Sequence, residues 1–210
     1  MKRRKSYDAS GRIARAEQNR AKILDVARRA FLERGYVATT IAEIANEAQV
    51  SVETIYKAFG GKPGLVRAIY QRGLGGTGPV HAEKRSDTIS SNEDDPRAIV
   101  AAWGRFISEI SPVVSPVMLL VRDAAGDDDE LAAVLREADD QRLARMRHNA
   151  EKLAKRGFLR RGVSATKAAE IMWLYTAPEL YELLVVRLGW SAERLGKFAS
   201  DAIAAALLPV

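Results

Sequence analysis

The chain has 210 residues, is 47% hydrophobic and 29% charged, and carries a formal net charge of +6, a balance that fits a soluble globular protein able to build a real core. It has no cysteine, and its two histidines, His81 and His148, lie far apart in sequence, so disulfides, thiol chemistry and a zinc site are set aside and neither metal nor cofactor is expected. The basic N-terminus lacks an apolar stretch and no segment approaches transmembrane length, so we expect no secretion signal, no membrane partner and a cytoplasmic location.

Residues 1–17 are polar and basic, with Lys2, Arg3, Arg4 and Lys5 in front and Arg12 and Arg15 behind. They read either as a flexible solubilising tail or as an arm that rests on phosphates or enters a minor groove. The first long helix is expected over 18–34, with Ile23, Leu24, Ala27, Ala30 and Phe31 as its buried stripe and Gly35 ending it. Thr40 followed by Glu43 is a capping box, and Ile41, Ile44, Ala45 and Ala48 give the helix it opens one apolar face. A tight break at Ala48-Gln49-Val50 leads to Ser51, which caps a second short helix carrying Thr54, Ile55, Tyr56 and Phe59. Two short helices joined in this way read as a helix-turn-helix. The exposed face of the second, made of Ser51, Val52, Glu53, Thr54 and Lys57, suits a DNA major groove.

Gly60-Gly61-Lys62-Pro63-Gly64 lacks the spacing and the trailing Ser or Thr of a phosphate-binding loop. Pro63 instead fits the first turn of a helix over 62–72, whose N-terminus offers a phosphate both the Lys62 charge and free backbone donors. Residues 73–95 are poor in apolar side chains and read as a mobile loop, with His81 exposed. Asp95-Pro96 opens a helix to about Ile110; Pro112 and Pro116 then interrupt the chain before a short apolar helix over 117–124. Asp127-Asp128-Asp129-Glu130 reads as the acidic first turn of a long helix to Lys155 rather than as a cation site. Ser164 opens a further helix, Thr176–Glu179 reads as a second capping box, and the run from Leu180 to Leu188 is apolar nearly all round. Ser191 caps the last helix.

Charge is unevenly placed along this plan. Residues 1–72 hold 15 Lys+Arg against 7 Asp+Glu, a net of +8, whereas 73–210 hold 18 against 20, a net of −2. The positive charge thus travels with the helix-turn-helix, where a phosphate backbone needs it. An enzyme reading has no support, because no metal-ligand cluster, cysteine or His–acid–Ser set is visible.

The head also resembles the TetR family of bacterial transcriptional repressors. The resemblance is carried by Phe31-Leu32-Glu33-Arg34-Gly35-Tyr36, Thr39-Thr40-Ile41, Val50-Ser51, Ile55-Tyr56-Lys57-Ala58-Phe59 and Lys62-Pro63-Gly64-Leu65, and is strong from Ile23 to about Leu65. Beyond it, only the helical plan and the wording near Gly157-Phe158-Leu159 and Leu188-Gly189-Trp190-Ser191 are similar. The turn position that the family usually fills with glycine holds Gln49, which costs about 1 kcal/mol if left-handed and suggests a slightly altered turn.

The expected fold is therefore all-α: a basic arm (1–17), a three-helix DNA-binding head with its connecting helix (18–72), and a helical-bundle body for ligand binding and dimerisation (73–210). Thr39 or Thr40, with Tyr56, Lys57 and Lys62, are expected on phosphates, and Val52, Glu53 and Thr54, after the Ser51 cap, on base edges. Alternatively Glu53 repels off-target phosphates or pairs with Lys57. The resemblance implies a homodimer through roughly 165–207 and a repressor released from a palindromic operator by a small-molecule effector. Trp103, Phe106, Met118, Met146, Met172, Trp173 and Tyr175 can line a pocket or simply fill a core, with Arg122, Asp123 and His148 as polar candidates. A DNA-binding regulator without small-molecule control, or an activator, is the alternative.

Overall fold

The computed structural model describes residues 9–126 and 128–209. Lys2, Arg3, Arg4, Lys5, the Arg12 side chain and Asp127 of the acidic run lie outside the described residues. The described residues are helical with connecting turns, and the chain divides into two units, Met1–Ala68 and Ile69–Val210.

In the first unit, α1 (Ala9–Arg34) buries Ile23, Leu24, Ala27, Ala30 and Phe31. It starts nine residues earlier than expected: 9–17, read as arm, forms its first turns. That stretch lacks the apolar period that announces a packed helix, yet its Ala, Arg and Glu residues favour helical backbone. α2 (Ile41–Ala48) opens on the Thr40–Glu43 capping box, with Glu43 N–H donating to Thr40 Oγ1 at 3.2 Å and Thr40 N–H to Glu43 Oε2 at 2.9 Å. It ends on Gln49 at φ 59°, ψ 45°. The turn is thus not altered; it keeps its left-handed residue without glycine, and Lys22 Nζ donates to the Gln49 side chain at 2.9 Å. α3 (Val52–Phe59) is capped by Ser51, whose Oγ accepts from Thr54 N–H at 3.1 Å. Of its residues only Ile55 is fully buried; Phe59 is half-buried beneath the Arg20 guanidinium, 4.5 Å from its ring centre. α4 (Lys62–Leu74) runs across the division between the units. At its start a Cβ on Gly64 would lie 1.6 Å from the Phe59 carbonyl, so only glycine lets the chain turn so closely.

The second unit holds the larger core. α5 (Ala82–Asn92) replaces the expected loop. Its buried face, Ala82, Ser86 and Ser90, repeats every four residues but is made of small and polar side chains, so it carried no hydrophobic signal. α6 (Pro96–Ala124), capped by Asp95, runs unbroken through Pro112 and Pro116, where an interruption was expected. Twelve of its residues are buried, and it packs along α10 (Ala192–Leu207); around the prolines Val114, Ser115, Val117 and Met118 are buried, Val114 and Met118 against Tyr70 and Ala138, and that packing carries the helix past their local cost. Unbroken, α6 is long and apolar enough to cross a membrane by length and composition, contrary to expectation, although its buried face serves the body's core. Where α6 and α10 cross, Gly104 and Gly196 bring the backbones together; a Cβ on Gly196 would meet Gly104 O at 2.2 Å.

α7 (Asp129–Lys155) begins on Asp128, which accepts from Glu130 and Leu131 N–H groups, and packs along α8 (Ala165–Tyr175). The second capping box does not form. Thr176 Oγ1 turns back to the Met172 and Trp173 carbonyls, and α9 (Pro178–Tyr181) starts at Ala177 with no side-chain cap. α9 passes into a π-helical turn, Glu182–Arg187, before Ser191 caps α10.

Candidate nucleic-acid interface and body cavity

The head presents an exposed band formed by Thr40, Ser51, Val52, Glu53, Thr54, Tyr56 and Lys57. Tyr56 is 53% exposed and Val52 39%, unusual values for large apolar surfaces on a helix that also packs. Glu53 and Lys57, four residues apart, make no ion pair among the described contacts, so the alternative in which they pair is not the arrangement found. Thr54 Oγ1 lies 2.9 Å from Ser51 Oγ, which ties it to the cap.

Two expected phosphate contacts are placed differently. Thr39 is fully buried, and its hydroxyl donates to Ala30 O (3.1 Å) and Gly35 O (2.8 Å), stitching the end of α1 to the corner before α2. A hydroxyl so enclosed does not reach a phosphate; of the pair Thr39 or Thr40, only Thr40 lies at the surface. Lys62 Nζ donates to Tyr36 O at 2.8 Å and to Val37 O at 3.4 Å, and sits 4.4 Å over the Tyr36 ring. It braces the α1–α2 corner, and a side chain built on its stem toward DNA would have to leave those carbonyls.

The body holds a partly open cavity of about 570 Å³. α6 supplies Trp103, Phe106, Ile107, Ile110, Val114 and Met118; α7 supplies Ala138, Arg142, Arg145, Met146, His148 and Asn149; α5 closes a side with Ala82, Glu83, Ser86 and Asp87. Of the side chains singled out from sequence, Trp103, Phe106, Met118, Met146, Met172 and His148 line it. Arg122, Trp173 and Tyr175 do not. Arg122 is held by Asp123 (2.9 Å), Glu182 (3.0 Å) and Glu179 (3.7 Å), hydrogen bonding to Asp123 and Glu182 keeping its guanidinium more firmly protonated. Trp173 lies under the Arg142 guanidinium at 4.5 Å, and the Tyr175 ring meets Phe198 edge-on.

Sequence reasoning missed Asp87, Arg142, Arg145 and Asn149, because α5 was read as loop and a charge inside a charged helix carries no signal of facing inward. Asp87 is the hub. Burial pushes its carboxyl up, but hydrogen bonds from Arg145 (2.9 Å), Lys152 (3.0 Å) and His148 (3.0 Å) outweigh that and hold it well below the usual carboxylate range. Nearby, hydrogen bonds from Arg85 and then Thr77 bring Glu109 down to about 2 against its burial. Burial pushes the Tyr70 hydroxyl up to about 12, and it donates to Ala138 O at 3.1 Å.

A capped helix-turn-helix head and a helical body with a partly open cavity define a helix-turn-helix protein of two units. Residues 23–69 match the family model described as bacterial regulatory proteins, tetR family. Curated relatives include the uncharacterized HTH-type transcriptional regulator YvkB of Bacillus subtilis, 36% identical over 74 residues, or 35% of either chain. The HTH-type transcriptional regulator TtgR of Pseudomonas putida is 37% identical over 81 residues, 39% of this chain and 37% of that one. The match thus spans about a third of these relatives' length. Over the whole chain the fold is that of solved structures such as the transcriptional regulator FadR of Bacillus subtilis in complex with stearoyl-CoA, with a TM-score of 0.68 at 16% identity, covering 89% of this chain and 98% of that one. Residues 23–69 thus carry the likeness to the TetR family of bacterial transcriptional regulators, and the rest of the chain shares its fold with the solved structures.

Proposed function

We propose that the protein is a homodimeric transcriptional repressor that binds a palindromic operator and is released when a small molecule enters the cavity of its body. The observation that carries this reading is the presence in one chain of an exposed recognition face and a partly open, largely apolar cavity. In the head, Thr40, Tyr56 and Lys57 set register on the phosphates, while Val52, Glu53 and Thr54 meet base edges, Val52 against a thymine methyl and Glu53 accepting from cytosine. Ser51 orders the start of α3.

Dimerisation through 165–207 is supported by a line of exposed apolar side chains within that range: Leu174, Leu183, Val186, Leu188 and Phe198 are each 40–65% exposed. A second copy would cover them, and two heads related by a two-fold axis read two half-sites where one short helix reads too few base pairs. The cavity volume lies within the range of small-molecule sites. FadR, of the same fold, was solved with stearoyl-CoA. An effector that fits one conformation of the body better than the other shifts the heads away from adjacent grooves in proportion to that preference.

The test is selection of bound fragments from source genomic DNA by the purified full chain, at near-physiological salt with scrambled competitor. Recovery of one palindromic site supports the reading. Binding that is weak, indifferent to sequence and lost with modest salt refutes it.

A further inference from the structure

The charged side chains on and beside the cavity wall are paired with one another. Arg145 pairs with Glu83 at 3.2 Å and with Asp87 at 2.9 Å; Arg142 pairs with Asp139 at 2.9 Å and donates to the Trp173 carbonyl; Lys152, which is not among the lining residues, reaches Asp87 at 3.0 Å. His148 adds a further contact to Asp87. A ligand carrying a net charge finds no opposite charge left over. To enter, it must either strip one of these partly exposed pairs or stay unpaired among apolar side chains, and the second is the larger cost.

Two polar atoms on the cavity's residues are in the opposite condition. Trp103, on α6, is 6% exposed, and its indole Nε1–H has no acceptor among the described residues. Asn149, on α7, is 4% exposed, and its Oδ1 has no donor. Both residues line the cavity, while the two atoms themselves are covered by their neighbours, so a ligand would reach them only by shifting those side chains as it enters. Buried donors and acceptors are almost always paired, and leaving one unpaired costs as much as a lost hydrogen bond or more. The rest of the interior, Phe106, Ile110, Val114, Met118 and Met172 among it, is apolar.

Resting on the reading of the cavity as an effector site, we propose that its ligand class is uncharged and largely apolar, typically aromatic, and carries a hydroxyl or amide that accepts from Trp103 Nε1–H and donates to Asn149 Oδ1. The apolar part of such a molecule gains burial, and its polar group satisfies the two atoms that the protein leaves open. A carboxylate has no proton for Asn149 and a quaternary ammonium has no lone pair for Trp103, so each fails on hydrogen bonding as well as on charge.

The experiment is isothermal titration calorimetry of the full-length protein with four matched probes: para-hexylphenol, hexylbenzene, para-hexylbenzoate and para-hexylphenyltrimethylammonium. The phenol is expected to bind about tenfold more tightly than hexylbenzene, and the two ions more weakly than the phenol by about tenfold or more. In Asn149→Leu and in Trp103→Phe the advantage of the phenol over hexylbenzene, measured on the same variant, closes. Neither variant leaves a buried polar atom behind, so both are expected to melt no lower than the wild type by more than the packing change allows. If a variant does not fold, the ranking of the four probes on the wild type still decides. Equal binding of phenol and hexylbenzene, tighter binding of either ion, or an advantage that survives both substitutions overturns the ligand class while leaving the cavity as an effector site. Failure of all four probes to bind a protein that still holds its operator overturns the effector reading itself, and the ligand class with it.

Discussion

Replacing Asp87 by Asn tests whether α5 is held to the body by charge. The substitution keeps the shape of the side chain and removes the negative charge that meets Arg145, Lys152 and His148. The Asp87 side chain is 38% exposed, so solvent screens these contacts and the depressed acidity overstates their worth. At a few tenths to 1 kcal/mol for each such pair, the three together stabilise the attachment of α5 by about 1–2 kcal/mol. The remaining attachment is also largely polar: Arg85 pairs with Glu109 of α6, Arg145 also reaches Glu83 and Ser86, and the fully buried Ala82, Ser86 and Ser90 offer little apolar area. Hydrogen exchange read by mass spectrometry should therefore show α5 amides of the Asp87→Asn protein opening about five- to thirtyfold more often at pH 7, with the α6 and α10 amides unchanged. Because the folded state holds Asp87 below the ordinary carboxylate range, protons bind the unfolded chain first. The stabilisation is complete above about pH 4 and is lost as pH falls below that toward the folded value, so the two proteins converge in acid. Identical α5 exchange at pH 7, or a difference that grows as the pH falls, refutes the charge attachment.

Other outcomes follow from single contacts. Gln49→Gly relieves a left-handed non-glycine residue and gives up only an exposed bond from Lys22, so the head should gain up to about 1 kcal/mol in chemical denaturation. Thr39→Val leaves Gly35 O and Ala30 O without their side-chain donor and should destabilise the head by about 1–3 kcal/mol, with operator affinity of the folded protein unchanged. Tyr56→Phe should do the reverse, weakening matched and scrambled DNA alike at unchanged stability, while Thr54→Ala changes base preference. Gly196→Ala forces a methyl to within 2.0 Å of Ser108 Oγ and 2.2 Å of Gly104 O; a loss of about 1–3 kcal/mol or more in thermal unfolding is expected. Val186→Glu, at a position 63% exposed in the single chain, should shift sedimentation from dimer to monomer without lowering helicity.

What could be read from the sequence alone was whatever is decided within about four residues. Thr40, Ser51, Asp95, Ser164 and Ser191 each cap the helix that their position announced, because a cap is a hydrogen bond between a side chain and the backbone two or three residues on. The all-α plan, the helix-turn-helix and the exposed face of α3 follow from such bonds and from apolar spacing. Local signals misled where distant contacts outweighed them. Pro112 and Pro116 promised a break, but burial of Val114, Val117 and Met118 around them carries α6 through both. Thr176 and Glu179 promised a capping box, but the Thr176 hydroxyl turns back onto α8. Sequence identified Thr39 as one of two candidate threonines; only the folded corner, which encloses its hydroxyl, assigns it to structure rather than surface. The cavity belongs wholly to tertiary structure. That α5 exists, that Asp87 faces three basic side chains of α7, and that Trp103 and Asn149 are buried without partners all depend on residues more than forty positions apart, and no periodicity along the chain records such a meeting.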